Sequence, residues 1–164
     1  MALENTKPKS QRSEFENNPS NLDDLTHAEI QMLYAESTKT LRFVKTLQWK
    51  TVGAKLLIDL ALIMIAVSVN ADQKLINVFM AITLLITAAT ILVLVFYQFW
   101  MHNEMRKINR MESQLSSLFK SIRAMKSSKE GNIHRYTLLS FMAISIILGA
   151  IVVNVALNRI SVSY

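Results

Sequence analysis

The sequence predicts an all-α integral membrane protein: three transmembrane helices, N-terminus inside and C-terminus outside. It adds an N-terminal amphipathic helix and a long cytoplasmic helical extension of the second span. Three observations carry that prediction. Residues 52–69, 75–100 and 136–157 are long apolar runs, each near the roughly 20 residues a helix needs to cross the hydrocarbon core of a bilayer. Apolar residues make up 51% of the chain and are gathered into those blocks, which is the membrane pattern. Both prolines, Pro8 and Pro19, precede every run, so ring geometry interrupts none of them. Barrel strands alternate in polarity and these runs do not, so the backbone groups must be satisfied as helices.

Charge sets the orientation. Lys39, Arg42, Lys45, Lys50 and Lys55 crowd the first span, with no acid between Glu36 and Asp59. The stretch 102–135 holds Arg106, Lys107, Arg110, Lys120, Arg123, Lys126, Lys129 and Arg135 against Glu104, Glu112 and Glu130. The link at 70–74 has one cation and one acid, and the tail after Leu157 has only Arg159. The positive-inside bias then places both basic segments in the cytoplasm, facing anionic headgroups. A nucleic-acid partner would want aromatic interleaving or a folded reading module, and neither is visible.

The elements follow in order. Residues 1–25, rich in Asn, Ser, Glu and Lys, read as a disordered polar tail with no cleavable signal pattern. Thr26 and Glu29 have the form of a capping box. Beyond them Ile30, Leu33, Tyr34, Leu41, Val44 and Leu47 recur at helical spacing. This predicts a cytoplasmic amphipathic helix over 26–51, leading through the interfacial Trp49 into the first span at 52–69. The short link at 70–74 makes the first two spans an antiparallel hairpin, 52–100. The second span closes on an aromatic belt, Phe96, Tyr97, Phe99 and Trp100. Its helix is expected to continue, because Ile108, Met111, Leu115, Leu118, Ile122 and Met125 follow a heptad rhythm. That seam would either pack on the first amphipathic helix or pair subunits as a coiled coil. A turn around Gly131 ends the basic segment 101–134. A third span over 135–157 and an external tail at 158–164 complete the chain.

Within the spans, Asp59 is the most suggestive residue, since an ionised carboxylate there costs a few kcal/mol. Lys55 lies four residues earlier on the same face. It is expected either to snorkel to the interface and neutralise Asp59, or to leave Asp59 facing a wet cavity or ion path. Thr83, Thr87 and Thr90 share a face of the second span, and the third carries Ser145, Gly149 and Asn154. Small and hydroxylated residues allow close helix approach, and Asn can hydrogen-bond between helices. The other reading is a pore lined by the threonines and Asn154.

No cysteine is present, which excludes disulfides and thiolate metal sites, and His27, His102 and His134 are far apart. No phosphate loop, zinc-protease helix or nucleophile elbow occurs, so neither catalytic residues nor a cofactor or metal site are expected. In layout the chain resembles small bacterial pore-forming effectors and is similar in outline to calcium-uniporter pore subunits. The link at 70–74 lacks the acidic filter motif of the latter family, so no residue is carried over. Residue usage suggests a bacterial inner (plasma) membrane. Two functions are therefore expected: a non-catalytic, self-associating scaffold or accessory subunit, with a homo-oligomer or a partner membrane protein on its surfaces, or an oligomeric channel or membrane-permeabilising effector.

Overall fold

The structure, a computed structural model, describes residues 18–124 and 128–162. Its elements are α1 (Asp24–Ser68), α2 (Gln73–Glu112), α3 (Ser117–Ala124) and α4 (Ser128–Val162). Three of them, α1, α2 and the part of α4 from Ile133 to Ile160, are long and apolar enough to cross a membrane. Most of the polar tail expected over 1–25 and the seam residue Met125 lie outside the described residues.

Helix α1 carries the amphipathic segment and the first apolar run without a break, about 68 Å at 1.5 Å per residue. Its cap is Asp23 and not Thr26. The backbone at Asp23 is extended, and its carboxylate accepts from the Thr26 backbone N–H at 3.3 Å. An aspartate three residues upstream thus takes the Thr26 amide that Glu29 was expected to satisfy in the capping box. The Thr26 hydroxyl, and after it this backbone amide, hold the Asp23 carboxyl below its ordinary value.

A compact junction reverses the chain between α1 and α2. Val69 caps α1, Asn70 takes the left-handed conformation at φ 46°, and the Ala71 N–H reaches back to the Ala66 carbonyl at 3.0 Å. This is a Schellman closure, which asparagine tolerates better than a branched residue would. Asp72 then caps α2, accepting from the Leu75 N–H at 2.9 Å. The second helix accordingly starts at Gln73, two residues ahead of the apolar run.

The long helix expected through Met125 ends at Glu112. Serines supply the reason. Ser113 turns its hydroxyl onto the Arg110 carbonyl at 2.7 Å, and Ser116 accepts from the Phe119 N–H at 3.3 Å, capping α3. Hydroxyls that bond local backbone compete with helix continuation. Helix α3 folds back onto the start of the bundle. Phe119 meets Tyr34 edge-on at 5.9 Å, and Arg123 bonds Glu112 at 2.8 Å. Ser117 exchanges hydrogen bonds with Asn18. The turn expected around Gly131 is also absent, because α4 is helical from Ser128. Likewise the expected tail at 158–164 is helical as far as Val162.

Helices α1 and α4 run parallel, and α2 runs against both. Val52, Leu94, Met142 and Ile146 form one apolar cluster. Ala66, Ala71, Ile76, Val153 and Leu157 form a second, beside the hairpin junction. The bundle is thus closed by apolar side chains at two depths, with a separate layer between them.

Candidate functional site

That layer is polar. Lys55 and Asp59 leave only 2% and 3% of their surface exposed. The Lys55 ammonium donates to both Asp59 carboxylate oxygens, at 2.5 and 2.6 Å. The i, i+4 spacing puts both on one face of α1, and that face turns into the bundle. Lys55 therefore does not snorkel to the interface as one expectation had it, although the pairing itself forms. Gly149 of α4 lies against it: a β-carbon there would sit 3.4 Å from Asp59 Oδ2 and 3.0 Å from Leu56 Cδ2.

From α2 the layer receives Thr83, Thr87 and Thr90, all buried. The packing of Val52 with Leu94 and of Ala66 with Ile76 sets an antiparallel register that brings these threonines level with the ion pair. Their hydroxyls donate to the carbonyls of Phe79, Thr83 and Ile86 at 2.6–2.9 Å, so the donors are engaged within α2 itself. Ser145, half-buried on α4, does the same toward Phe141 at 2.9 Å. Asn154 has a buried side-chain oxygen without a hydrogen-bond partner and stands beside the second apolar cluster. The structure thus gathers Lys55, Asp59, Gly149 and the three threonines into one stretch of the bundle.

The heptad residues divide differently. Ile108 is buried against the bundle at 2% exposure, while Met111 and Leu115 are half-covered. Leu118 and Ile122, on α3, are 45% and 60% exposed. A seven-residue repeat does organise α2, but it begins inside the apolar run. Thr83, Thr87, Thr90, Leu94, Gln98, Met101, Glu104 and Ile108 form its buried line. Ser37, Val44, Gln48, Val52, Lys55 and Asp59 form the facing line on α1.

Three members of that seam escaped the sequence reading. Glu104 is buried and takes a 2.7 Å hydrogen bond from Lys107. That bond, with the Ser37 hydroxyl and the Trp100 indole in support, holds its carboxyl below the ordinary 4.5 despite burial. Gln48 and Gln98 are also buried, and their amide nitrogens have no hydrogen-bond partner. The available signal was spacing, since Gln48 is one heptad before Lys55 and Gln98 one turn past Leu94.

Among the described residues no group of three His, Cys, Asp or Glu is placed to hold a metal ion. Chemically, the layer is a neutralised ion pair with hydroxyls bonded to their own helix, capped by hydrocarbon on both sides. Such an arrangement fixes helix register and rotation. No protein-family model, curated protein or solved structure matches the chain.

Proposed function

We propose that the chain is a non-catalytic, self-associating scaffold or accessory subunit of a bacterial inner membrane. It would sit with its N-terminus and both basic segments in the cytoplasm and its C-terminus outside. The observation that carries this reading is the uncovered apolar surface beyond the spans. Leu25, Met32 and Phe43 of α1 are exposed and fall close to one line on the helix, on the side away from the buried seam. Leu118 and Ile122 add an exposed apolar edge on α3. Lipid covers such residues inside the bilayer, but these lie outside the apolar runs and need a protein surface. The closed polar layer supports the same reading, because it leaves the bundle interior with structure to maintain and no free reactive group.

The test is the mass of the purified chain in nanodiscs. A discrete homo-oligomer that Leu118→Asp with Ile122→Asp converts to monomer, at unchanged helix content, supports the proposal. A wild-type monomer overturns self-association and points to a different partner protein.

A second reading, an oligomeric channel or pore-forming effector, draws on the unpartnered buried amides of Gln98 and Asn154, which lie on either side of the ion pair. It requires ion flux in vesicles that Asp59→Asn alters. The apolar clusters above and below the pair favour a closed bundle over a path through one subunit.

A further inference from the structure

Beyond the spans, the start of α1 and the corner between α2 and α3 enclose a cavity of about 290 Å³. That is at the lower end of small-molecule sites, which begin near about 300 Å³. His27 in its wall precedes the first apolar run by about 37 Å of unbroken helix, so a headgroup at the lipid boundary does not reach it. Contacts outside the wall hold the cavity in shape. Ser117 exchanges hydrogen bonds with Asn18 at one end of α3, and Arg123 bonds Glu112 at 2.8 Å near the other.

The wall is aromatic on one side and polar on the other. Tyr34 and Phe119 both line it, ring edge to ring face at 5.9 Å. The Tyr34 hydroxyl donates to Glu112 at 3.4 Å, so the tyrosine offers the cavity its ring. Ile30 adds hydrocarbon. Among the described residues that line the cavity there is no Asp, Glu, Lys or Arg. Its polar side is the pair His27 and Gln31, one turn apart on α1. The Gln31 amide donates to His27 Nε2 at 3.0 Å, so in the neutral ring the proton sits on Nδ1. That Nδ1 is buried without a hydrogen-bond partner, and Gln31 keeps its amide oxygen and a second N–H.

We infer that this cavity is a binding site for an uncharged nitrogen heterocycle of nucleobase size. Two aromatic rings set at 86° give a third ring one face to stack on and one edge to meet. A wall without formal charge leaves a carboxylate, ammonium or phosphate uncompensated and so selects a neutral guest. The Gln31 amide presents an acceptor and a donor side by side, which matches the paired donor and acceptor on the edge of a base. An aliphatic guest would cover the rings and Ile30 but strand that amide.

The experiment titrates adenine into the full chain in phosphatidylcholine nanodiscs and reads saturable binding by isothermal calorimetry. Wild type is expected to bind. Phe119→Leu keeps an apolar contact on Tyr34 but no ring, and should weaken binding about tenfold. Gln31→Leu changes an exposed position, leaves the fold intact and should weaken binding about fivefold. Lys120→Gln, on α3 but outside the cavity wall, should leave it unchanged. Caffeine, a neutral purine with methyl groups in place of its edge donors, should bind about fivefold more weakly than adenine. No saturation by adenine in wild type overturns the site, as does equal weakening by Lys120→Gln. Caffeine binding as tightly as adenine, or Gln31→Leu binding as wild type does, would overturn the heterocycle and leave an apolar slot. Adenosine monophosphate binding more tightly than adenine would overturn the selection for a neutral guest.

Discussion

Lys55 and Asp59 would each be expensive alone in a bilayer, about 2.5–3.5 kcal/mol on an insertion scale. Together, one turn apart and turned away from lipid, they cancel. A buried pair of this kind adds little over well-packed hydrocarbon, yet removing one partner strands the other. Asp59→Asn is therefore expected to lower bundle stability by about 3–5 kcal/mol, while Lys55→Met with Asp59→Leu recovers most of it. Unfolding in mixed micelles measures both, and a double variant no better than the single one would contradict the pairing. Gly149 is tied to the same spot. In Gly149→Ala the new methyl meets the far end of Leu56 at 3.0 Å, and Leu56 is exposed enough to swing aside. The alanine variant should lose no more than about 1 kcal/mol, the lower end of overpacking. Gly149→Leu has the Asp59 carboxylate on its other side and should part α4 from α1, read as loss of a cysteine cross-link engineered between those helices.

At the scale of elements, α1 and α2 are held beyond the spans by Glu104. Its folded pKa lies below the unfolded value, so its contribution is present above 4.5 and fades as pH falls through the lower folded value. Lys107 is well exposed and adds little, which leaves the buried carboxylate and its Ser37 and Trp100 donors as the grip. Acidification below pH 4.5 should shift Trp100 fluorescence, and Glu104→Gln should remove that transition; an identical transition in the variant would assign it elsewhere. Much of this architecture was legible in the sequence. The apolar runs announce the three long helices because lipid permits nothing else, and Lys55 and Asp59 are four apart on one face. The hairpin reads directly from the short link. The end of α2 was not legible, because Ile108, Met111, Leu115 and Leu118 keep helical spacing straight through the break. The chain stops where the Ser113 and Ser116 hydroxyls bond to local backbone, and hydrophobic rhythm is blind to that. Of the α1–α2 seam, the threonine face and the Lys55–Asp59 pair were legible, whereas Gln48, Gln98 and Glu104 were missed because they are polar residues on a line that turns out to be buried.

For the molecule as a whole, the three long helices bury only a narrow seam, and the rest of their apolar surface faces outward. Inside a bilayer that surface costs nothing, since lipid tails are as apolar as leucine. On the function proposed above, the basic end lies beyond the lipid core, and the exposed Leu118 and Ile122 there are the surface a second protein would cover. The compact α3 gives the sharpest access to that question. Leu118 and Ile122 lie one turn apart on one edge, and Lys120 points the opposite way at 100° per residue. The natural sequence has no cysteine, so one introduced thiol reports on one position alone. If α3 meets its counterpart in a second copy, Ile122→Cys and Leu118→Cys should form disulfide-linked dimers under mild oxidation in membranes. Lys120→Cys, on the same eight-residue helix and also exposed, should stay monomeric. Equal cross-linking at 120 and 122 would reduce the signal to random collision in a crowded membrane. No cross-linking at either apolar position would show that α3 does not meet itself. The uncovered edge would then belong to a different protein, with self-association left to Leu25, Met32 and Phe43 on α1.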